Sequence, residues 1–380
     1  MKNQTKQKSR VGQCVVFLLY ILLGLICGCV LYPLLERSLA EGSYLKTILL
    51  PFLFFAIFFS ALVLQILLHE TGHLVFGLLS GYKFCSFRIF SLLWVKEKGK
   101  LRLKRLSLAG TGGQCLMVPP EPVNDRFPVM LYNFGGALMN VLTGTVFLLL
   151  FLAFRHLSLL SVFLFLLAVT GFFLAGINGV PLRLNAVDND GYNAFSLQKE
   201  PEAMRAFWIQ MKVNEMLLQG IRLKDMPDAF FVLPENASPG NSMVAALGVL
   251  ACSRFMDAKQ FGEADALMER LLAADSGIAG VHRGALGCDR LYLSIIGQSR
   301  CTQPVLLLTK EQKDFMKAMK NNPSVLRTNY VYALYIEKDS AKAAAFRAQF
   351  EKCAKTYPAP VEIQAERELI EFAAKVWKTW

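Results

Sequence analysis

The chain has 380 residues, 54% of them hydrophobic, and a formal charge of +12 from 41 basic and 29 acidic residues. Its mean hydropathy of +0.38 is high for a soluble protein, and the basic excess flanks apolar segments instead of marking one face of a soluble fold, so no nucleic-acid partner is expected. Nine cysteines without a C-x-x-C pair exclude a disulfide framework and a cysteine zinc site.

Four segments are long enough to cross a bilayer, which takes about 20 apolar residues. The first runs from Cys14 to Leu35 behind Lys2, Lys6, Lys8 and Arg10. It is longer than the apolar region of about 7–15 residues in a signal peptide, and its nearest small-residue site, Ser38-Leu39-Ala40, lies well beyond it, so it reads as a retained span. The second holds 22 residues without a charge, Thr47–Leu68, and continues as helix to Leu79. The third and fourth are Pro128–Phe154 and Leu157–Ile177.

The second span ends in His69-Glu70-Thr71-Gly72-His73. H-E-x-x-H on a helix sets two imidazoles on one face, where they can share a zinc ion, with a glutamate beside them to act on a water. Only four histidines occur in the whole chain, and two are here. Ionisable groups at membrane depth are costly and mark functional sites by default.

Beyond this span, Lys83–Phe90 and Leu101–Leu106 partly alternate and read as a hairpin around Lys96-Glu97-Lys98-Gly99-Lys100. Gly110, Gly112, Gly113 and Pro119-Pro120 follow as an irregular turn region. Two uses stand open for the hairpin: a basic surface that meets anionic lipid, and a strand edge that holds an extended substrate. Gly135, Gly136 and Gly144 in the third span allow close approach to a neighbour.

The N-terminal tail carries four basic residues and the stretch Gly81–Arg126 nine, whereas the two other connections carry few. The positive-inside rule then puts both termini in the cytoplasm and the H-E-T-G-H motif near the cytoplasmic end of its span. A catalytic zinc needs three protein ligands and one open position. His156 falls on the wrong side and His282 far along the chain, so a carboxylate is expected as the third ligand, with Asp188 and Asp190 after the fourth span both candidates.

These features together resemble the site-2 protease family of intramembrane zinc metalloproteases. The resemblance rests on H-E-T-G-H in an early span, Gly135-Gly136-Ala137-Leu138-Met139-Asn140 in a later one, and Asn178-Gly179-Val180-Pro181 leading to Asp190-Gly191, and it covers roughly residues 47–192. It implies His69 and His73 as zinc ligands, Asp190 as the third, Glu70 as the catalytic carboxylate, and Asn140 as a group that helps bind the reacting carbonyl; a hydrogen bond between helices is the other reading of an asparagine in a span. The sequence departs from the family pattern at Ala137, where proline is common, and at Asn189 and Tyr192, which flank Asp190-Gly191 in place of leucine and glycine. Asp188 stays open as the rival ligand.

From about Ala194 the chain becomes amphipathic, with helical periodicity over Ser242–Arg254, Phe261–Ala274 and Ser340–Tyr357. Two of these stretches resemble the second helix of a tetratricopeptide unit, but no repeat of about 34 residues runs through the region, which reads as a plain helical-hairpin domain.

The fold class is thus mainly α: a membrane bundle of about four spans with a small β-hairpin insertion (residues 1–192), then a cytoplasmic helical domain (193–380). The expected function is zinc-dependent hydrolysis of transmembrane or signal-peptide-like substrates in the plasma membrane, of bacterial type, with a protein partner for the C-terminal domain. The alternative is a non-catalytic scaffold or receptor, against which the intact Glu70 argues. A metal transporter would need further His, Asp or Glu in the spans.

Overall fold

The computed structural model describes residues 2–42, 44–97, 99–106, 112–154, 159–182, 188–233, 241–273 and 278–378. Among these the chain is mainly helical, with thirteen α-helices and four strands. It divides into two compact units, Met1–Tyr82 with Pro128–Lys199, and Lys83–Phe127 with Glu200–Trp380.

The first unit holds helices α1 (Lys2–Ala40), α2 (Tyr44–Leu79), α3 (Met130–Ala153), α4 (Leu159–Gly179) and α5 (Asp190–Lys199). The first four contain stretches long and apolar enough to cross a membrane: Gly12–Arg37, Tyr44–Leu79, Met130–Ala153 and Leu159–Gly179. These match the four apolar segments of the sequence. Phe54 and Ala61 of α2 pack on Val162, Leu166 and Leu167 of α4, with Cys27, Val30 and Leu31 of α1 against them. Large apolar side chains such as Phe17, Leu25, Phe52 and Leu149 stay exposed, as lipid-facing helices require.

In this bundle, glycine sets the distance between α2 and α3. A Cβ on Gly72 would stand 2.3 Å from the Gly135 carbonyl oxygen, and one on Gly135 would stand 2.7 Å from that of Gly72. Neither clash has a flexible side chain to absorb it, so the two backbones touch as only small residues permit.

The second unit begins with an antiparallel sheet of β1 (Lys83–Ile89), β2 (Leu92–Glu97), β3 (Lys100–Arg105) and β4 (Gly113–Val118), in the order β3-β2-β1-β4. This corrects the expected hairpin. Lys83–Ile89 does not pair with Lys100–Arg105, because β2 lies between them, with Phe87 opposite Trp94 and Trp94 opposite Leu103. The turn around Gly99 (φ 80°) is where the sequence put it. The other turn, Phe90-Ser91, joins β1 to β2 with Phe90 at φ 50°, a conformation usually given to Gly or Asn, so the sequence carried no turn signal there. Gly113, assigned to irregular backbone, opens β4; Gly110 lies outside the described residues.

Helix α6 (Pro201–Gln219) packs on β2 and β4, and Phe207 stacks on Phe127. Burial against α6 explains why the sheet clusters with the C-terminal helices. Then follow α7 (Ser242–Asp257), α8 (Phe261–Ala273), α9 (Gly280–Ile295), α10 (Lys310–Ala318), α11 (Pro323–Val331), α12 (Ser340–Ala354) and α13 (Pro360–Lys378). The periodic stretches in the sequence correspond to α7, α8 and α12. Asn241 caps α7 through the Met243 and Val244 amides, and Asp339 caps α12 through Lys342.

Two arginines tie α13 to the rest of this unit. Arg222 bonds Asp257 of α7 and Glu368 of α13, and Arg327, 1% exposed, bonds Asp289 of α9 and Glu366 of α13. The Arg327 guanidinium also lies 4.5 Å over the Tyr292 ring. Removing one member of such a buried set costs about 3–5 kcal/mol, because its partners keep their charge without a counterion. Glu362, one turn before Glu366, faces the same cavity of about 100 Å³ as Arg222 and Arg327. Burial pushes its carboxyl up to about 7, and the Glu366 charge adds to this. Burial likewise lifts Glu366 to about 7 against the pull of Arg327.

Both carboxyls therefore bind protons more tightly folded than unfolded. The stability they contribute is complete below their ordinary value of 4.5 and is lost as pH rises through about 7. Trp94, Trp208 and Trp377 belong to this unit, so tryptophan fluorescence reports its unfolding. The urea midpoint is expected to fall between about pH 5.5 and about pH 8, and Glu362→Gln is expected to reduce that fall by raising the midpoint at the higher pH alone. A wild-type slope unchanged in Glu362→Gln contradicts this assignment.

Candidate metal centre

The centre is built on a stripe of α2. Gln65, His69 and His73 are spaced four apart and so share one helical face. All three are buried, at 0%, 7% and 7% exposure. The two imidazole rings stand at 80° to each other with centroids 4.9 Å apart.

Each ring is held by its Nδ1. His73 Nδ1 lies 2.8 Å from the Tyr132 carbonyl oxygen on α3, which can only accept, so this nitrogen carries the proton. His69 Nδ1 lies 2.6 Å from Asn140 Oδ1. The Asn140 amide nitrogen donates to the Gln65 carbonyl at 3.0 Å and to Gln65 Oε1 at 2.8 Å, which assigns its oxygen to His69. Both imidazoles thus turn Nε2 towards the centre, as metal-ligating histidines do when a second partner fixes the tautomer.

Asp190 supplies the third donor. It is the first residue of α5, and two features aim it. Asn189 caps α5 by accepting from the Tyr192 amide at 2.9 Å, while its own amide group donates to the carbonyls of Ile177 and Val180 at the end of α4. Gly191 lies against Gly179: a Cβ there would be 2.3 Å from the Gly179 carbonyl oxygen. The departure at Asn189 is therefore a clamp that joins α5 to α4.

Asp190 Oδ2 stands 3.1 Å from His69 Nε2 and 3.4 Å from His73 Nε2, and the two Nε2 atoms are 3.2 Å apart. Ligands about 2.0–2.1 Å from a tetrahedral zinc lie about 3.3 Å from one another, so the three atoms match one face of such a shell. With Nδ1 protonated, each neutral imidazole offers a lone pair at Nε2, next to a carboxylate oxygen. Three electron-pair donors at this spacing repel unless a proton or a metal cation lies among them, and two nitrogens with one oxygen could hold zinc.

Among the described residues, this is the group of three His, Cys, Asp or Glu whose ligand atoms fall within 4.8 Å of one another. Asp188 is partly buried and is not a member of that group. Glu70 is buried at 6% and acts electrostatically on His73. Asn140, fully buried, spends both amide protons on Gln65; the expected contact with a reacting carbonyl has no spare proton here, and the side chain orients His69 instead.

Sequence reasoning missed Gln65 and the Tyr132 carbonyl. Gln65 had a signal, an amide four residues before His69 inside an uncharged run. A backbone carbonyl has none. Gly136 also proves specific: a Cβ there would be 2.4 Å from both Cε1 and Nε2 of His69. Comparisons with protein-family models, with curated proteins and with solved structures find no match to this chain.

Two outcomes follow for zinc content measured on the purified chain. Asp190→Ala is expected to lower zinc affinity at least about 10-fold while Asp188→Ala leaves it unchanged; the reverse result moves the third ligand to Asp188. Gly136→Ala is expected to displace the His69 ring and lower affinity by a similar factor, about 10–100-fold. Gly176→Ala serves as its control, since a Cβ there meets nothing nearer than 4.0 Å.

Proposed function

We propose that this chain is an intramembrane zinc metalloprotease, similar to the site-2 protease family, that hydrolyses peptide bonds of transmembrane or signal-peptide-like substrates. One observation carries the reading. His69 and His73, on a helix long and apolar enough to cross a membrane, form a triangle of metal donors with Asp190 of α5, and Glu70 is the next residue after His69. A transporter would need a pathway of such groups, whereas a hydrolase needs one site with a base next to it.

A zinc ion held by these three donors would polarise a peptide carbonyl and make a water acidic enough to react near neutral pH. Glu70 follows His69 directly and so points about 100° away from it around the helix. That places its carboxylate to the side of the ligand face, where it takes a proton from the water and returns it to the leaving amine. Asn140 and the Tyr132 carbonyl keep both imidazoles in the ligating tautomer throughout. The Asp190 side chain keeps 26% of its surface accessible against 9% for each histidine, so access for water favours the Asp190 side.

A helical substrate must unwind before attack, because its carbonyls are already hydrogen-bonded. The basic tail and the basic stretch 81–126 support a multi-pass plasma-membrane protein of bacterial type with cytoplasmic termini. In that arrangement the C-terminal helices are a cytoplasmic domain that binds a protein partner.

The test is cleavage of a membrane-spanning peptide by the purified chain in lipid vesicles, with and without a chelator. Glu70→Gln is expected to retain zinc and to cleave about 10²–10⁴-fold more slowly. Cleavage by Glu70→Gln at the wild-type rate rules out this mechanism.

A further inference from the structure

The polar groups of the first unit do not end at the ligands. A chain of side-chain hydrogen bonds runs from His69 away from the metal centre into the apolar part of the bundle, and each link has a direction. The direction is set at its far end. Gln65 Nε2 lies 2.8 Å from the Leu167 carbonyl oxygen on α4. A carbonyl only accepts, so the amide nitrogen of Gln65 must face α4 and its Oε1 must face α3. Oε1 then meets Asn140 Nδ2 at 2.8 Å, with the Gln65 carbonyl also accepting from that nitrogen at 3.0 Å. Two acceptors can be met only by an NH₂ group. This leaves Asn140 Oδ1 against His69, and an acceptor at 2.6 Å requires the imidazole proton on Nδ1.

We infer that Gln65 determines which nitrogen of His69 faces the metal centre, by fixing the orientation of the Asn140 amide. If the Gln65 amide turned round, it would offer hydrogens to Asn140. The Asn140 amide nitrogen would then lose its side-chain acceptor and face hydrogens, held only by the Gln65 main-chain carbonyl at 3.0 Å, and an Asn140 that turned away from them would offer hydrogens to His69 Nδ1. The imidazole proton would then move to Nε2 and cover the lone pair that a metal needs. Nothing in the H-E-x-x-H motif itself prevents this, because the two tautomers of an isolated imidazole are close in energy.

The surroundings are built for one orientation. Gln65 and Asn140 are both fully buried, and a buried amide left without partners costs about 1–3 kcal/mol. The Thr143 hydroxyl lies 3.2 Å from Gln65 Oε1 and 2.8 Å from the Met139 carbonyl, so its single proton is shared between two acceptors. Gly171 of α4 makes room: a Cβ there would stand 2.8 Å from Gln65 Nε2 and 3.0 Å from the Asn140 carbonyl oxygen. Three helices thus converge on an amide that touches no ligand. Gln65 is a positioning residue; it acts through Asn140.

The metal reading supplies the reason that the tautomer matters, and the two ideas are tested separately. The full-length chain is labelled with ¹⁵N-histidine, stripped of metal with a chelator and examined in detergent micelles by NMR; its four histidines are few enough to assign. His69 is expected to carry its proton on Nδ1. Gln65→Met, which keeps volume and removes the amide, is expected to give a mixture of tautomers. It is also expected to bind zinc about 10–100-fold more weakly in competition with a chromogenic chelator. Gln65→Glu, neutral when buried and able to donate to Leu167, is expected to restore both properties. A wild-type His69 protonated on Nε2, or Gln65→Met with wild-type tautomer and zinc affinity, overturns the inference. Should Gln65→Met not fold, the wild-type spectrum and Gln65→Glu still decide. If the wild-type chain takes up no zinc at all, the protease reading falls while the tautomer measurement still judges Gln65.

Discussion

The contact between Gly72 and Gly135 sets the spacing on which the candidate metal centre depends. Where two helix backbones touch, side chains on either side of the contact reach across to groups they could not otherwise meet. Here the matching is regular. Gln65, His69 and His73 follow one another along α2 as Asn140, Gly136 and Tyr132 run back along α3. Both sets are spaced by four, so the two stripes face each other over two turns with opposite direction. At each step a polar group meets its partner or, at Gly136, an empty space that the His69 ring fills. A wider interhelix distance would leave both imidazoles with an unpaired N–H in an apolar bundle, which is the more costly outcome where water is scarce.

The proposed third ligand follows a different logic. Asp190 sits on a short helix after a loop, so nothing about helix packing alone would aim it at the histidines. Asn189 does that work with four bonds, two from its amide group to the end of α4 and two to its oxygen from Leu182 and Tyr192. The amide thus bridges both sides of the connection that it closes. Gly191 then brings the start of α5 against Gly179. The ligand set therefore combines two donors of fixed helical spacing with one set by a cap, and the triangle of 3.1, 3.2 and 3.4 Å shows how closely the two devices agree.

What was legible in the sequence follows from the range of each signal. Four apolar segments and the i, i+4 spacing of His69 and His73 are local, and local periodicity reads well. Asp190 was one of two carboxylates because chain order and topology bring both to the same place, while only the cap at Asn189 distinguishes them. Asn189 itself looked like a departure from a pattern, since a capping role depends on where α4 ends. Asn140 was visible as a polar residue in a span, but its role depends on Gln65, and pairing between helices leaves no mark on either helix alone. In the sheet, Gly99 announced its turn whereas Phe90 adopts a positive φ that its side chain gives no reason to expect. The pattern therefore conceals β2, which lies between β1 and β3 and pairs with both.

The two carboxylates next to the histidines show why position within the framework matters more than residue type. Asp190 meets both Nε2 atoms and comes from an element independent of α2, so its distance to them can be adjusted by the loop and cap. Glu70 shares the helix with the histidines and is fixed at one residue from His69, too far round to complete the triangle and near enough to act beside it. A ligand must converge on the same point as its partners, whereas a base must approach from the side a substrate uses. The helix keeps Glu70 out of the ligand triangle and is compatible with the role of base in the proposed mechanism. Gln65, one turn back on the ligand face, shows the complementary case: it has the right direction for the centre but lies behind His69, and what it can reach from there is the amide that governs the imidazole.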